Sequence, residues 1–112
     1  MEINEDQYSF YAVLAFEDLE SGERIFIDVD DVPVVIFKIG KDVYAINDRC
    51  SHDDGPLGEG ELDGFEVICP RHGARFDVRN GKVLSLPAVE DIQHYPIRIL
   101  DGQIEIGVRN SQ

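Results

Sequence analysis

Apolar and polar positions alternate along this chain in short runs broken by Gly, Asp, Asn and Pro, the pattern of strands joined by tight turns. Tyr8-Ser9-Phe10-Tyr11-Ala12-Val13-Leu14 mixes aromatic and aliphatic residues as a strand does. Glu17-Asp18-Leu19-Glu20-Ser21-Gly22 reads as a turn, or a single helical turn ending at glycine. Arg24-Ile25-Phe26-Ile27-Asp28-Val29 is a second strand, which Asp30-Asp31 and Pro33 interrupt. Val34-Val35-Ile36-Phe37-Lys38-Ile39 is the most apolar run, and Gly40-Lys41-Asp42 turns it into Val43-Tyr44-Ala45-Ile46-Asn47 to make a hairpin.

From Asp48 to Gly60 the alternation dissolves into a long loop, a kind of segment that commonly carries function. Glu61-Leu62, a turn at Asp63-Gly64 and Phe65-Glu66-Val67-Ile68 then form a short hairpin. Phe76-Asp77-Val78 and Lys82-Val83-Leu84 flank Asn80-Gly81, which predicts a two-residue type I′ turn. The last hairpin is Tyr95-Pro96-Ile97-Arg98-Ile99-Leu100, a turn at Asp101-Gly102, and Gln103-Ile104-Glu105-Ile106-Gly107-Val108. In it Ile97, Ile99, Ile104 and Ile106 alternate with polar residues. No segment keeps a helical period, so the fold class is all-β, an antiparallel sandwich or barrel. Without a repeat or linker, residues 1–112 read as one domain.

Composition narrows the setting. A hydrophobic fraction of 43% suits a globular chain, and no apolar run approaches the roughly eighteen residues of a membrane span. The start, Met1 to Gln7, is acidic where a secretory signal is basic and then apolar, which leaves the cytoplasm as the expected compartment. A net charge of -13 repels nucleic acid and anionic membrane and steers the chain toward a basic partner surface. That charge is uneven. Between Arg49 and Lys82 seven acids face five bases, while the remainder holds sixteen acids against five.

The only two cysteines and two of the three histidines stand as Cys50-Ser51-His52 and, sixteen residues on, Cys69-Pro70-Arg71-His72. Thiolate and imidazole together select zinc, copper or an iron–sulfur cluster. In a reducing compartment, with a histidine beside each cysteine, metal ligation is the better use of them than a disulfide. Structural zinc sites pair like with like at such spacings. One mixed tetrahedral ion remains open, but two matched loops suit a binuclear site, each loop giving one ligand to each metal. His94, the spare histidine, cannot supply the two histidines and carboxylate of an oxygen-activating iron. No nucleophilic triad or phosphate loop is present, so the chain reads as no enzyme by itself.

Cys-x-His followed by Cys-x2-His resembles the signature of Rieske iron–sulfur proteins. The similarity extends through Gly55, Leu57, Gly60, Gly73, Phe76-Asp77, Gly81, Pro87-Ala88 and Tyr95-Pro96 to the final hairpin, covering residues 8 to 108. The resemblance implies one 2Fe-2S cluster, with Cys50 and Cys69 on the inner iron and His52 and His72 on an outer iron near the surface. It implies a cluster-binding subdomain at about residues 46 to 84, inserted in an antiparallel β-sandwich base. It further implies a monomeric electron carrier between a flavin-containing reductase and an oxygenase, like the ferredoxin component of bacterial ring-hydroxylating dioxygenases. Two other readings are a small subunit of a nitrite-reductase type and a zinc-stabilised interaction module without redox role.

The departures from the family pattern matter as much. High-potential respiratory members carry an extra cysteine in each loop, joined as a disulfide, and a serine and a tyrosine whose hydroxyls bond the cluster and a ligand sulfur. Here Asp54 or Gly55 and Arg71 replace the cysteines, Ala74 the serine and Phe76 the tyrosine. A low potential is therefore expected within the roughly -150 to +300 mV of Rieske centres. Around the ligands, Leu57 is core packing or, as the resemblance favours, a lid. Gly55, Gly73 and Gly81 supply backbone freedom, with loop N–H groups able to point at cluster sulfurs. Ser51 could donate to a sulfur, Arg71 and Arg75 are solvated or part of a docking rim, and His94 is an ordinary, partly exposed residue.

Overall fold

Val34, Val35, Ile36 and Phe37 are all fully buried, although neighbouring strand residues point to opposite faces. The strand that carries them must be covered on both sides. In the computed structural model, which describes residues 7–52 and 55–110, it is. Val34 and Ile36 join Val43, Ala45, Tyr95, Ile104 and Ile106 in one core, whereas Val35 and Phe37 join Ile46, Cys50, Leu57, Val67, Cys69 and Phe76 in the other. At about 1.5–3 kcal/mol per buried side chain these four residues represent roughly 6–12 kcal/mol gross, comparable with the net stability of a whole domain.

The elements are β1 (Tyr8–Ala15), β2 (Arg24–Val29), β3 (Val32–Ile39), β4 (Asp42–Asn47), β5 (Leu62–Asp63), β6 (Glu66–Ile68), β7 (Arg75–Asp77), β8 (His94–Tyr95), β9 (Ile97–Leu100) and β10 (Gln103–Arg109). One turn of 3-10 helix spans Phe16–Asp18. They form three antiparallel sheets, ordered β1-β10-β9, β2-β3-β4-β8 and β5-β6-β7. The protein is thus all-β and antiparallel, and the third sheet lies between β4 and β8 in the chain. No helix among the described residues is long and apolar enough to cross a membrane. Met1 to Asp6 of the acidic start, and Asp53 and Asp54 of the first ligand loop, lie outside the described residues.

Three expectations need correction. Pro33 does not interrupt a strand, because β3 starts at Val32 and Pro33 pairs with Asp28 while its carbonyl accepts the Asp48 N–H. The missing N–H falls next to the strand's first residue, where little pairing is lost. Tyr95 to Leu100 is not one strand. Tyr95 pairs with Ala45 and Ile97 with Ile106, so the chain changes sheets at Pro96. Asn80-Gly81 is not a type I′ turn, since only Gly81 has a positive φ. Val78 is fully buried and gives its N–H to Phe65, which takes it out of the hairpin ladder and lengthens the turn. The left-handed pairs that type I′ demands occur at Asp30-Asp31 and Asp101-Gly102.

Asp77 fastens that longer turn. Its carboxylate accepts the Arg79 N–H at 2.9 Å and the Arg79 Nε and Nη2 at 3.0 and 2.8 Å, and the guanidinium sits 4.3 Å from the Phe65 ring centre. The Arg79 hydrogen bonds hold the carboxyl below the usual range against the opposing push of burial. A depressed folded-state value means stability that is complete above the ordinary carboxylate range and lost as pH falls through the folded value. Asp77→Asn is expected to cost about 1–2 kcal/mol at neutral pH and to flatten the loss of stability in acid. Urea unfolding across that range checks this; a variant with the wild-type pH slope would show that Asp77 plays no such part.

Candidate metal centre

The first ligand loop leaves β4 and is closed by side chains that carry no sequence signature. Asp48 Oδ1 accepts the N–H groups of Leu57 and Gly58, bringing the end of the loop back to its start. The Arg24 guanidinium, from β2, donates to the Gly58 and Gly60 carbonyls and lies 4.9 Å from the Phe37 ring centre. A Cβ on Gly60 would lie 1.8 Å from the Ile68 carbonyl oxygen, so no larger residue lets this loop rest against β6.

The second loop joins β6 to β7, and the two loops share a hydrogen-bonding pattern. The Cys50 N–H donates to the Gly55 carbonyl at 2.8 Å, and the Cys69 N–H donates to the Ala74 carbonyl at 2.7 Å, five residues on in each case. Each cysteine therefore opens a tight loop that its own backbone closes. Both thiols are buried, Cys50 at 0% and Cys69 at 2% exposure, and they form no disulfide. Both histidines are exposed, and their rings stand edge to face with centroids 5.2 Å apart.

Sequence reasoning did not anticipate that a third segment, 84–92, runs along both loops. The Leu84 N–H donates to the Arg75 carbonyl, the Arg75 N–H to Ser85 Oγ and Ser51 Oγ to the Glu90 carbonyl. Ala88 and Ile92 belong to the same core as the two cysteines. Beyond Leu84, the end of an expected strand, only Pro87-Ala88 marked this segment in the sequence. Its outer side chains are apolar and exposed, Leu86 and Val89 at 75% each.

Neighbouring residues resolve as follows. Leu57 is fully buried in the core that holds both cysteines. Ser51 donates to Glu90 and not to a sulfur. The Gly73 and Gly81 N–H groups are taken by the Cys69 and Asp77 carbonyls. Arg75 bridges Asp63 and Glu66 at 3.0 and 3.2 Å, and these bonds, Asp63 first, raise its pKa. His94 is exposed on β8, across from Ile46.

The donors fit a two-metal group better than one ion. Among the described residues no three His, Cys, Asp or Glu side chains come close enough to share an ion, as a tetrahedral zinc requires. A binuclear cluster asks only for two donors per metal, and the chain offers two buried thiols and two adjacent exposed imidazoles.

Comparison with known proteins agrees. Residues 9–96 match the family described as the Rieske [2Fe-2S] domain. The 3-phenylpropionate/cinnamic acid dioxygenase ferredoxin subunit of Escherichia coli (strain K12) is 41% identical over 96 residues, which cover 85% of this chain and 90% of that one. Among solved structures, the ferredoxin of carbazole 1,9a-dioxygenase from Nocardioides aromaticivorans IC177 superposes with a TM-score of 0.82 at 32% identity, covering 88% of this chain and 96% of that chain. A chain from a complex of reduced oxygenase and oxidized ferredoxin in carbazole 1,9a-dioxygenase gives a TM-score of 0.83 at 27% identity, covering 92% and 96%. The chain belongs to the Rieske [2Fe-2S] domain family, and its cofactor is one Rieske-type 2Fe-2S cluster.

Proposed function

We propose that this protein is a low-potential Rieske ferredoxin, a cytoplasmic carrier that takes one electron from a flavin-containing reductase and delivers it to an oxygenase. In this reading residues 1–112 are a single Rieske domain, with the cluster held by the part at about residues 46 to 84. Cys50 and Cys69 would hold the inner iron, and His52 and His72 the outer one. The observation that carries it is the polarity of the site: thiols buried in an apolar core, imidazoles side by side at the surface. The ferredoxin-subunit role of the relatives supports it.

When bound, the cluster supplies a one-electron redox couple. The protein contributes the rest. Leu57, Val67 and Phe76, each at 0% exposure, belong with the thiols to one core from which water is excluded. The His52 and His72 edges give a short route outward. Leu86 and Val89, on the segment whose Glu90 carbonyl accepts the Ser51 hydroxyl, are exposed apolar residues that a docked oxygenase would desolvate. The acids concentrated outside the Arg49–Lys82 stretch guide the encounter.

The test is electron delivery. Holoprotein is reduced by NADH through a flavin reductase, and its reoxidation by a Rieske oxygenase, such as the one served by the phenylpropionate relative, is followed optically. Reoxidation that is no faster with oxygenase than without it would exclude the carrier role. The paired Leu86→Ser and Val89→Ser substitutions are expected to raise the oxygenase KM about tenfold with the visible spectrum unchanged. An unchanged KM would remove these two residues from the docking site while leaving the carrier reading intact.

A further inference from the structure

Arg71 sits between Cys69 and His72, yet its side chain reaches the other loop. Nη1 donates to the Pro56 carbonyl at 2.7 Å. A Cβ on Gly55 would lie 2.4 Å from Cζ and Nη2 and 2.9 Å from Nε, so the guanidinium fills the space that any side chain at position 55 would need. The Gly55 carbonyl is in turn the acceptor of the Cys50 N–H. One side chain thus connects the backbone between Cys69 and His72 to the residue that closes the turn after Cys50.

We propose that Arg71 is the positioning residue that ties the two ligand loops together, with Gly55 as its seat, and that this tie sets how long the protein retains its cluster. The inference rests on the reading of the four Cys and His side chains as ligands. The tie is non-covalent. A guanidinium is charged at every pH the fold tolerates, presents a planar fork of donors, and needs no oxidising compartment. It joins backbone to backbone through one flexible side chain, so the loops gain a fixed spacing without a buried charge. Lysine could reach the Pro56 carbonyl as a point donor but could not cover Gly55 in the same way.

Gly55 offers an independent way to break the contact. The atoms an added methyl would strike are the far end of a flexible side chain, and it is the guanidinium that must leave. Arg71→Ala and Gly55→Ala should therefore remove the same interaction from opposite sides.

The experiment compares reconstituted holoproteins of the wild type, Arg71→Ala, Arg71→Lys, Gly55→Ala and the double variant. Cluster loss is followed as bleaching of visible absorbance under excess chelator, with apoprotein melting as a control for the fold. Arg71→Ala and Gly55→Ala are each expected to speed cluster loss about fivefold, the double variant no further, and Arg71→Lys by an intermediate amount. The EPR signal of the reduced protein should broaden alike in both single variants. Arg71→Ala loss within a factor of about 1.5 of wild type, or single effects that multiply in the double variant, would overturn the proposal. Should Arg71→Ala fail to fold, Gly55→Ala against Arg71→Lys decides it on the same terms. A wild type that takes up no cluster would instead refute the ligand assignment.

Discussion

Cys69→Ala is expected to give a protein without iron, sulfide or visible colour, whose β-sandwich base is still folded. Cys69 follows the last residue of β6 and is 2% exposed, so the variant loses one sulfur from a packed interior and gains no room for water to replace it. A thiolate at this place cannot be substituted from nearby. The only other cysteine is Cys50, and no three metal-ligating side chains converge among the described residues. A cluster deprived of one of two thiolates therefore has no second thiolate to take its place.

The base should survive because the two cores are separate. Leu19, Val34, Ile36, Val43, Ala45, Tyr95, Ile104 and Ile106 pack together without either cysteine, whereas Leu57, Val67, Phe76 and Ala88 share theirs with both. Loss of the cluster should loosen the second group and leave the first, since metal binding and folding are coupled only where the ligands are. Iron and acid-labile sulfide analysis with far-UV circular dichroism measures both halves of the expectation. Retention of two irons and two sulfides by Cys69→Ala would sink the assignment of Cys69 as a ligand.

The two candidate ligand loops stand out in the sequence because cysteine and histidine are scarce in it and fall in matched pairs. The strands were legible wherever burial is one-sided, as at Ile104 and Ile106, and β3 was recognisable as the most apolar run because both its faces are covered. What stayed hidden is what long-range contacts decide. Asp48 and Arg24 shape the first ligand loop, but an aspartate after a strand and an arginine at the start of another look like ordinary surface residues until the fold brings them to Leu57, Gly58 and Gly60. The Asn80-Gly81 signal was overridden because Val78 gained more in the core, with its N–H bonded to Phe65, than in a tight hairpin. Leu57 was hard to place for the same reason: an apolar residue in a polar loop gives no sign of its depth, and only the fold shows it buried beside both cysteines.

Ala74→Ser combined with Phe76→Tyr is expected to raise the midpoint potential by about 130 mV. Ala74 directly precedes β7 and Phe76 lies within it, and both residues are fully buried in the core that contains Cys50 and Cys69. Ala74 is already tied to the second ligand loop, its carbonyl accepting the Cys69 N–H at 2.7 Å. Hydroxyls placed there have no water to bond, and the cluster or its thiolates are the acceptors that the site would supply. Reduction adds negative charge, so each such bond favours the reduced state by about 1.5 kcal/mol. For one electron roughly 60 mV corresponds to about 1.4 kcal/mol, which converts two bonds into the stated shift. On the same reasoning the wild type is expected near the bottom of the roughly -150 to +300 mV range of Rieske centres, and a wild-type midpoint above about +100 mV would contradict it. Stability separates the two ways the double variant can behave. Hydroxyls that find sulfur leave the melting temperature close to wild type and lift the potential, whereas unpaired buried hydroxyls cost about 1–3 kcal/mol each. A lowered melting temperature with an unmoved potential would show that hydroxyls at these two positions do not set the potential of this centre.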